Sequence, residues 1–472
     1  MKKIFITILS VFTILASCDV SDSLNVDQKN PSNVPASGLF ANGLRNLFDQ
    51  MNSANSNNNV LRLYSQYWAQ TTYPEESQYN QVTRNIGGNN WNAMYRDVLQ
   101  DLKGAKELLA TSNEDDIENK VAIISIIEVY AYTVLVDYFG DVPYTQALDP
   151  LNPSPAYDDA ETIYLDLFTK LNAAITALDE TGSGFASGQD PVYGGDVSLW
   201  KKAANSLKLR MAMRLADSNP AVSKQMAEAA AAGSILDNAD NFGIAYLGAA
   251  PNTNPLWVTL VQSGRDDFVA ANTFVDALNP LNDPRLPSFF TTINGIYDGG
   301  IYGDANAASG FSSISDLMKD PSLPGNIMTA AEVHFLLAEA TERGYAVGGN
   351  AEGHYNAGVT SSITEWGGTQ AEATAYLAQG SVAYGTAAGD WKQKVGTQKW
   401  IAMFNNGMEG WTTYRLLDQP TLNAPPGMSV SDIPTRFLYP VSEATLNGDS
   451  YNAAATAIGG DTKTTKLFFD KN

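Results

Sequence analysis

The side chains able to do chemistry are few and poorly grouped. There are two histidines in 472 residues, His334 and His354. Their separation does not fit His-Glu-x-x-His, and each reads as a packed or surface residue rather than a metal ligand. Ser198-Leu199-Trp200-Lys201 has the Ser-x-x-Lys spacing of acyl-transfer enzymes, but no Lys-Thr-Gly or Ser-Asp-Asn accompanies it. No Gly-x-Ser-x-Gly elbow, phosphate-cradling glycine loop or dinucleotide fingerprint occurs. The 51 acidic residues leave room for a glycosidase pair, which needs two carboxyl groups about 5 to 10 Å apart across a cleft. Most of them read instead as a solvated surface. The expectation is no catalytic residue, no cofactor and no metal.

Cys18 is the single cysteine, so no Cys-x-x-Cys and no internal disulfide can form. Its setting gives it another chemistry. Met1-Lys2-Lys3 is followed by an apolar run from Ile4 to Ala16 and then by Leu15-Ala16-Ser17-Cys18. A cationic start, a short apolar core and small residues form a secretory signal, spanning residues 1–17. The run falls short of the roughly 20 residues of a membrane-spanning helix. Leu-Ala-Ser-Cys resembles the lipobox of bacterial lipoproteins, which implies cleavage before Cys18 and acylation of the new N-terminus. Residues 18–35 carry Asp19, Asp22, Asn25, Asp27, Asn30, Pro31, Asn33 and Pro35 and read as a lipidated tether. A net charge of −22 excludes nucleic acid as a partner.

The elements that follow are mostly helical. Trp91, Met94, Tyr95, Val98, Leu99, Leu102, Ala105, Leu108 and Leu109 recur at three- and four-residue steps, one apolar helix face. Ile117 to Tyr138 supplies a second, across the acidic turn Glu114-Asp115-Asp116. Ile163 to Leu178 and Trp200 to Leu215 supply a third and a fourth. Further helices are expected at 329–343, 350–366 and 391–404. Successive pairs of this size suggest stacked helix-turn-helix units. Between about 238 and 326 Gly, Asn, Pro, Ser and Asp dominate and only 267–278 has a helical period. This reads as an irregular lobe, and such long irregular stretches often carry function. A second irregular segment is expected at about 420–466, within a single body spanning 36–472.

Several strings carry a family resemblance. They are Val136-Asp137-Tyr138-Phe139-Gly140-Asp141-Val142-Pro143-Tyr144, Tyr157-Asp158, Ile163-Tyr164, and Asp196-Val197-Ser198-Leu199-Trp200 running on to Arg210-Met211-Ala212-Met213-Arg214. Asn282-Asp283-Pro284-Arg285, Ala331-Glu332-Val333-His334-Phe335, Gln398-Lys399-Trp400, Trp411 with Arg415, and Arg436-Phe437-Leu438-Tyr439-Pro440 with Glu443 complete the set. In this order they resemble the SusD/RagB-like nutrient-binding lipoproteins of the bacterial outer membrane. The chain departs from that pattern at Phe468-Phe469, where the family usually has paired tryptophans. The resemblance implies a mostly α fold: stacked tetratricopeptide-like hairpins with an irregular, loop-rich ligand-binding lobe. It implies capture of oligosaccharides, or of peptides, at the cell surface. Delivery to a SusC-type TonB-dependent transporter and an outer-membrane, lipid-anchored location follow from it too. A lipid-anchored glycan hydrolase is the alternative.

Most of these strings read as fold determinants. Gly140 is expected to stop a helix in the left-handed region, and Arg210 and Arg214 to tie helix surfaces to acids such as Glu332 or Glu339. The ligand site is sought elsewhere, because sugar rings need exposed aromatic faces beside amides and charges. Two segments have that composition. One runs from Tyr73 through Tyr79 to Arg84, Asn89 and Asn90. The other is the lobe, with Trp257, Arg265, Asp266, Asp267, Tyr297 and Tyr302. A loop before an early helix, faced by the lobe, is also how the family's ligand contacts are arranged. Trp91 is expected to be core.

Overall fold

The computed structural model describes residues 34–471. The signal peptide, Cys18 and the tether up to residue 33 lie outside these described residues.

Helical pairs form a stacked scaffold. Ile86–Asn92 continues through a π-helical stretch, Ala93–Leu99, into Gln100–Leu109, and this arm packs on Ile117–Phe139. The expected single face from Trp91 to Leu109 is therefore one helix with a wide turn inside it. Ala160–Ala177 pairs with Val197–Arg214, Ala330–Glu342 with Ala351–Glu365, and Trp391–Ala402 with Gly407–Leu417. Local chemistry explains where they start. Asp159, Asp196, Thr329, Asn350, Asp390 and Asn406 each accept a backbone N–H from the first turn that follows. Gly140 ends the Ile117–Phe139 helix at φ 86°, ψ −123°. That φ is positive as expected, but the ψ lies outside the left-handed helical well, in a region that only glycine enters readily.

The Ile117–Phe139 helix is apolar almost all round, and it is long and apolar enough to cross a membrane by composition. Most of it is buried within the protein, which is how an all-round apolar helix is accommodated in a large core. The scaffold is also bound by ions. Arg210 donates to Glu332 at 2.7 and 2.6 Å, as expected. Arg214 reaches Glu409 and Asp137 instead, and Glu339 pairs with Arg343 at 2.9 Å. Buried ion pairs also lie within the quoted strings. Arg285 holds Asp283 at 2.6 Å, and the Arg415 guanidinium sits 3.7 Å from the Trp411 ring centroid. Trp91 is core, and Phe469 is fully buried beside Phe468.

The irregular lobe is more ordered than its composition suggests. The expected helix at 267–278 divides into a strand, Phe268–Ala270, and a shorter helix, Asn272–Leu278. The strand pairs antiparallel with Trp68–Gln70, with Trp68 opposite Ala270 and Gln70 opposite Phe268. Ladder partners two hundred residues away decide that local conformation, and no local period announces them. A second short pair joins Phe242–Ile244 to Gly325–Met328. The C-terminal segment holds a helix at Gly448–Ala457, where irregular chain was expected.

Candidate ligand-binding trough

The Trp68–Gln70 and Phe268–Ala270 ladder brings the early loop against the lobe. Immediately after the first strand the chain turns back through Tyr73 and Tyr79, at φ 58° and 66°. Backbone bonds close the turn: Gln78 N–H donates to Pro74 O and Asn80 N–H to Glu75 O, both at 2.9 Å. Left-handed backbone at a non-glycine residue costs about 1–3 kcal/mol and is concentrated at functional positions. Tyr73 combines that strain with 62% exposure of a large aromatic ring.

Beneath Tyr73 lies a depression of about 440 Å³. Its near wall is Asn55, Ser56, Asn57, Tyr73 and Arg84, and its far wall is Val258, Thr259, Ser263, Arg265 and Asp267. It opens at both ends. Asn55, Val258 and Thr259 also line a depression running toward Arg45 and Asp49, and Arg265 and Asp267 line one running past Asp266 to Lys319. The result is an open trough with amides, alternating charges and one exposed ring.

Its charges are held in pairs. Arg84 contacts the buried Glu76 carboxylate and donates to Asn57 Oδ1 at 3.2 Å. Arg265 donates twice to Asp267, at 2.7 Å each, and this hydrogen bonding raises its already high pKa. Burial pushes the Asp49 carboxyl up, opposed by hydrogen bonds from Tyr246 and Arg45. Ion pairs at a rim are worth little to stability, and here they hold the Arg84 and Arg265 side chains in place.

The structure divides the candidates named from sequence. Tyr73, Arg84 and Asp266 line the trough. Asn89 braces it from behind, donating to Asn57 O at 2.7 Å and to Arg84 O at 3.0 Å. Asn90 must be corrected from contact to clamp. It is buried, donates to Asn58 O and Ile86 O, and accepts from Gln50. Tyr79 and Tyr302 must be corrected to core: they are 2% and 1% exposed, with ring centroids 6.3 Å apart. Tyr79 packs edge-on against Tyr64, and Tyr302 packs in turn against Tyr79. Trp257 and Tyr297 are half-buried in the lobe and do not line the trough. The loop at 55–58, Thr259 and Lys319 also line the trough, beyond the residues that composition points to. The unbroken run Asn55-Ser56-Asn57-Asn58-Asn59 is the signal that could have found the loop.

This division makes a testable contrast. Tyr73→Ala should weaken ligand binding by roughly 1 to 3 kcal/mol, the scale of an interface anchor, and leave the melting temperature nearly unchanged. Tyr79→Ala and Tyr302→Ala should each cost about 3 to 5 kcal/mol of stability, as loss of a core aromatic does. Calorimetric titration and thermal melting of the three variants separate the roles. If Tyr73→Ala loses stability and keeps full affinity, its assignment to the trough fails.

A larger cleft of about 570 Å³ lies on the scaffold, lined by Val121, Val129, Leu167 and Ala174. Lys103, Lys106, Lys170, Glu118 and Glu128 also line it, and no Asn or Gln does. The trough differs from it in its amide side chains and its exposed ring.

The comparisons with known proteins agree with this architecture. The SusD-like family model, described as "Starch-binding associating with outer membrane", matches residues 28–440. A chitin-binding SusD homologue from Flavobacterium johnsoniae is 26% identical, with a TM-score of 0.79 over 93% of this chain and 99% of its own. Another structure, described as a chitin-binding protein, is 27% identical, with a TM-score of 0.81 over 93% of this chain and all of its own. A SusD-like protein from Bacteroides thetaiotaomicron is 25% identical, with a TM-score of 0.78 over 93% of this chain and 99% of its own. No curated protein matches the sequence.

Proposed function

We propose that this chain, which belongs to the SusD-like family, captures oligosaccharides at the cell surface in the trough and delivers them to a SusC-type TonB-dependent transporter. The observation that carries this reading is the meeting of Tyr73 and Arg84 with Arg265 and Asp267 around one open depression. An exposed ring offers a sugar's C–H face a platform, and the flanking amides and charges offer its hydroxyls partners. An open trough suits a chain of sugar units.

Two matched structures are described as chitin-binding, so chito-oligosaccharides are the first ligand to try. Their acetamido groups both donate and accept, as do the Asn55 and Asn57 side chains. Calorimetric titration should give saturable binding of chitohexaose, with malto-oligosaccharides and mixed peptides as comparison ligands. Stronger peptide binding would move the reading to peptide capture. New reducing ends on incubation would move it to the hydrolase alternative.

Lipid attachment at Cys18 would hold the body at the outer membrane, and the transporter would be its stable partner. Interfaces of permanent complexes commonly bury more than about 2,000 Å². Gentle detergent extraction followed by pull-down should therefore bring down a transporter barrel. Recovery of the lipoprotein alone, under conditions that keep other membrane complexes intact, would overturn the partnership.

A further inference from the structure

On the scaffold side of the lobe, away from the trough, is a pocket of about 290 Å³. It is built where the Ala351–Glu365 helix and the Trp391–Ala402 helix both end, so Glu365, Trp366, Ala402 and Met403 line it. Leu317, Leu323 and Pro324 close it from the lobe. Its size is at the lower edge of the range for drug-sized ligands, about 300–1,000 Å³, so it fits a small molecule of one ring.

The polar groups of this pocket are unbalanced. Glu365 accepts one hydrogen bond, from Asn326 Nδ2 to Oε1 at 2.9 Å. Its Oε2 has no hydrogen-bond partner among the described residues, and no Lys, Arg or His lines the pocket. Burial, opposed by the Asn326 amide, pushes the Glu365 carboxyl up to about 7. The elements around it carry Asp316, Lys319 and Asp320, then Glu332, then Lys399 and Glu409, while Glu352 and His354 share its helix. None of these contributes to that shift. Two helix C-termini add partial negative charge. The two helix starts that also touch the pocket are already capped by Thr329 and Asn406. Beside the carboxyl, the Trp366 indole is 7% exposed, and its Nε1–H is buried without a partner.

We infer that this pocket binds a small organic cation. The ammonium sits on Glu365 Oε2, and the carbon body lies against Trp366 and Met403. A cation supplies the charge that the site lacks and pairs with a half-buried carboxylate, open on the pocket side, through a charge-assisted hydrogen bond. A neutral polyol of the same shape leaves that carboxylate unpaired. The inference is independent of the sugar-binding reading, because no residue of the pocket lines the trough.

Calorimetric titration of the purified full chain tests it, with trans-4-aminocyclohexanol as probe and cyclohexane-1,4-diol as the neutral match. At pH about 8 the amine should bind one to one, roughly tenfold or more tighter than the diol, the effect of one charge-assisted hydrogen bond. At pH about 5.5 the amine stays charged while Glu365 is protonated, and affinity should fall roughly tenfold. Glu365→Gln should cause the same loss at pH about 8. Equal affinity for amine and diol, or amine binding untouched by acid or by Glu365→Gln, overturns the inference. If Glu365→Gln does not fold, Met403→Trp, which fills the pocket and keeps the carboxyl, must abolish binding, and retained binding overturns the inference. Tyr73→Ala should leave the amine's affinity unchanged, and a loss there would assign the probe to the trough instead.

Discussion

Glu409→Ala is expected to cost about 3 to 5 kcal/mol of folding stability, a large share of the roughly 5 to 15 kcal/mol that holds a typical domain together. Glu409 is fully buried and accepts from Arg214 Nη2 at 2.6 and 2.7 Å, and Arg210 lies 3.6 Å away. Arg210 in turn holds Glu332, and Arg214 holds Asp137. The cluster therefore joins four helices: Ile117–Phe139, Val197–Arg214, Ala330–Glu342 and Gly407–Leu417. Removing one carboxylate leaves positive charge without compensation where water cannot reach, and that desolvation penalty sets the size of the loss. Burial alone would raise the Glu409 carboxyl, but Arg210, Arg214 and Lys399 overcome it and hold the group down to about 2. Its stabilisation is therefore present above the unfolded value near 4.5 and is lost as pH falls through about 2. Urea unfolding of the variant at neutral pH gives the loss directly. The double change Arg214→Met with Glu409→Met should be less damaging than the sum of the single changes, because it removes both charges together. If the changes are strictly additive, the pair is not the source of the effect.

The ends of this network were legible in sequence to different degrees. Arg210 and Arg214 stand one turn apart on a strongly periodic helix, so a shared acidic partner was foreseeable, and Glu332 was named. Glu409 was not, because its helix, Gly407–Leu417, is short and contains Gly410, where the Tyr67 hydroxyl approaches closely. Helices with a strong apolar period, such as Ile117–Phe139 and Val197–Arg214, were readable to within a few residues. The Ala36–Asn52 helix was not singled out, although Phe40, Leu44, Leu47, Phe48 and Met51 mark its face. The trough was legible as two segments and not as a surface. Composition brought forward Tyr73, Tyr79 and Tyr302 equally, since an aromatic ring suits a sugar face and a core alike. The three-residue ladder between Trp68–Gln70 and Phe268–Ala270 brings the early loop to the lobe, and tertiary packing then leaves Tyr73 outside while Tyr79 and Tyr302 lie inside. A pairing so short has no local signature, because its partners are remote in the chain.

Cys18→Ala should move the protein from the membrane fraction to the soluble fraction. Apart from the proposed transporter partner, the described residues offer the body little hold on a bilayer. Its net charge of −22 is repelled by anionic lipid surfaces, which attract polybasic segments instead. Among the described residues the one helix long and apolar enough to cross a bilayer, Ile117–Phe139, is mostly buried in the protein's own core. Attachment would then rest on acyl chains at Cys18. Each buried CH₂ contributes about 0.8 kcal/mol, so a single chain holds reversibly and several on one residue hold for practical purposes permanently. Replacing the thiol removes the acylation site and with it the whole of that free energy, whereas any single change in the trough removes a small fraction of ligand binding. Metabolic labelling with a fatty-acid analogue, followed by fractionation of wild type and variant, gives both readouts. If labelling is lost and the protein still sediments with the outer membrane as firmly as wild type, a partner protein holds it there and the lipid is dispensable. If labelling persists in the variant, Cys18 is not the acylated residue.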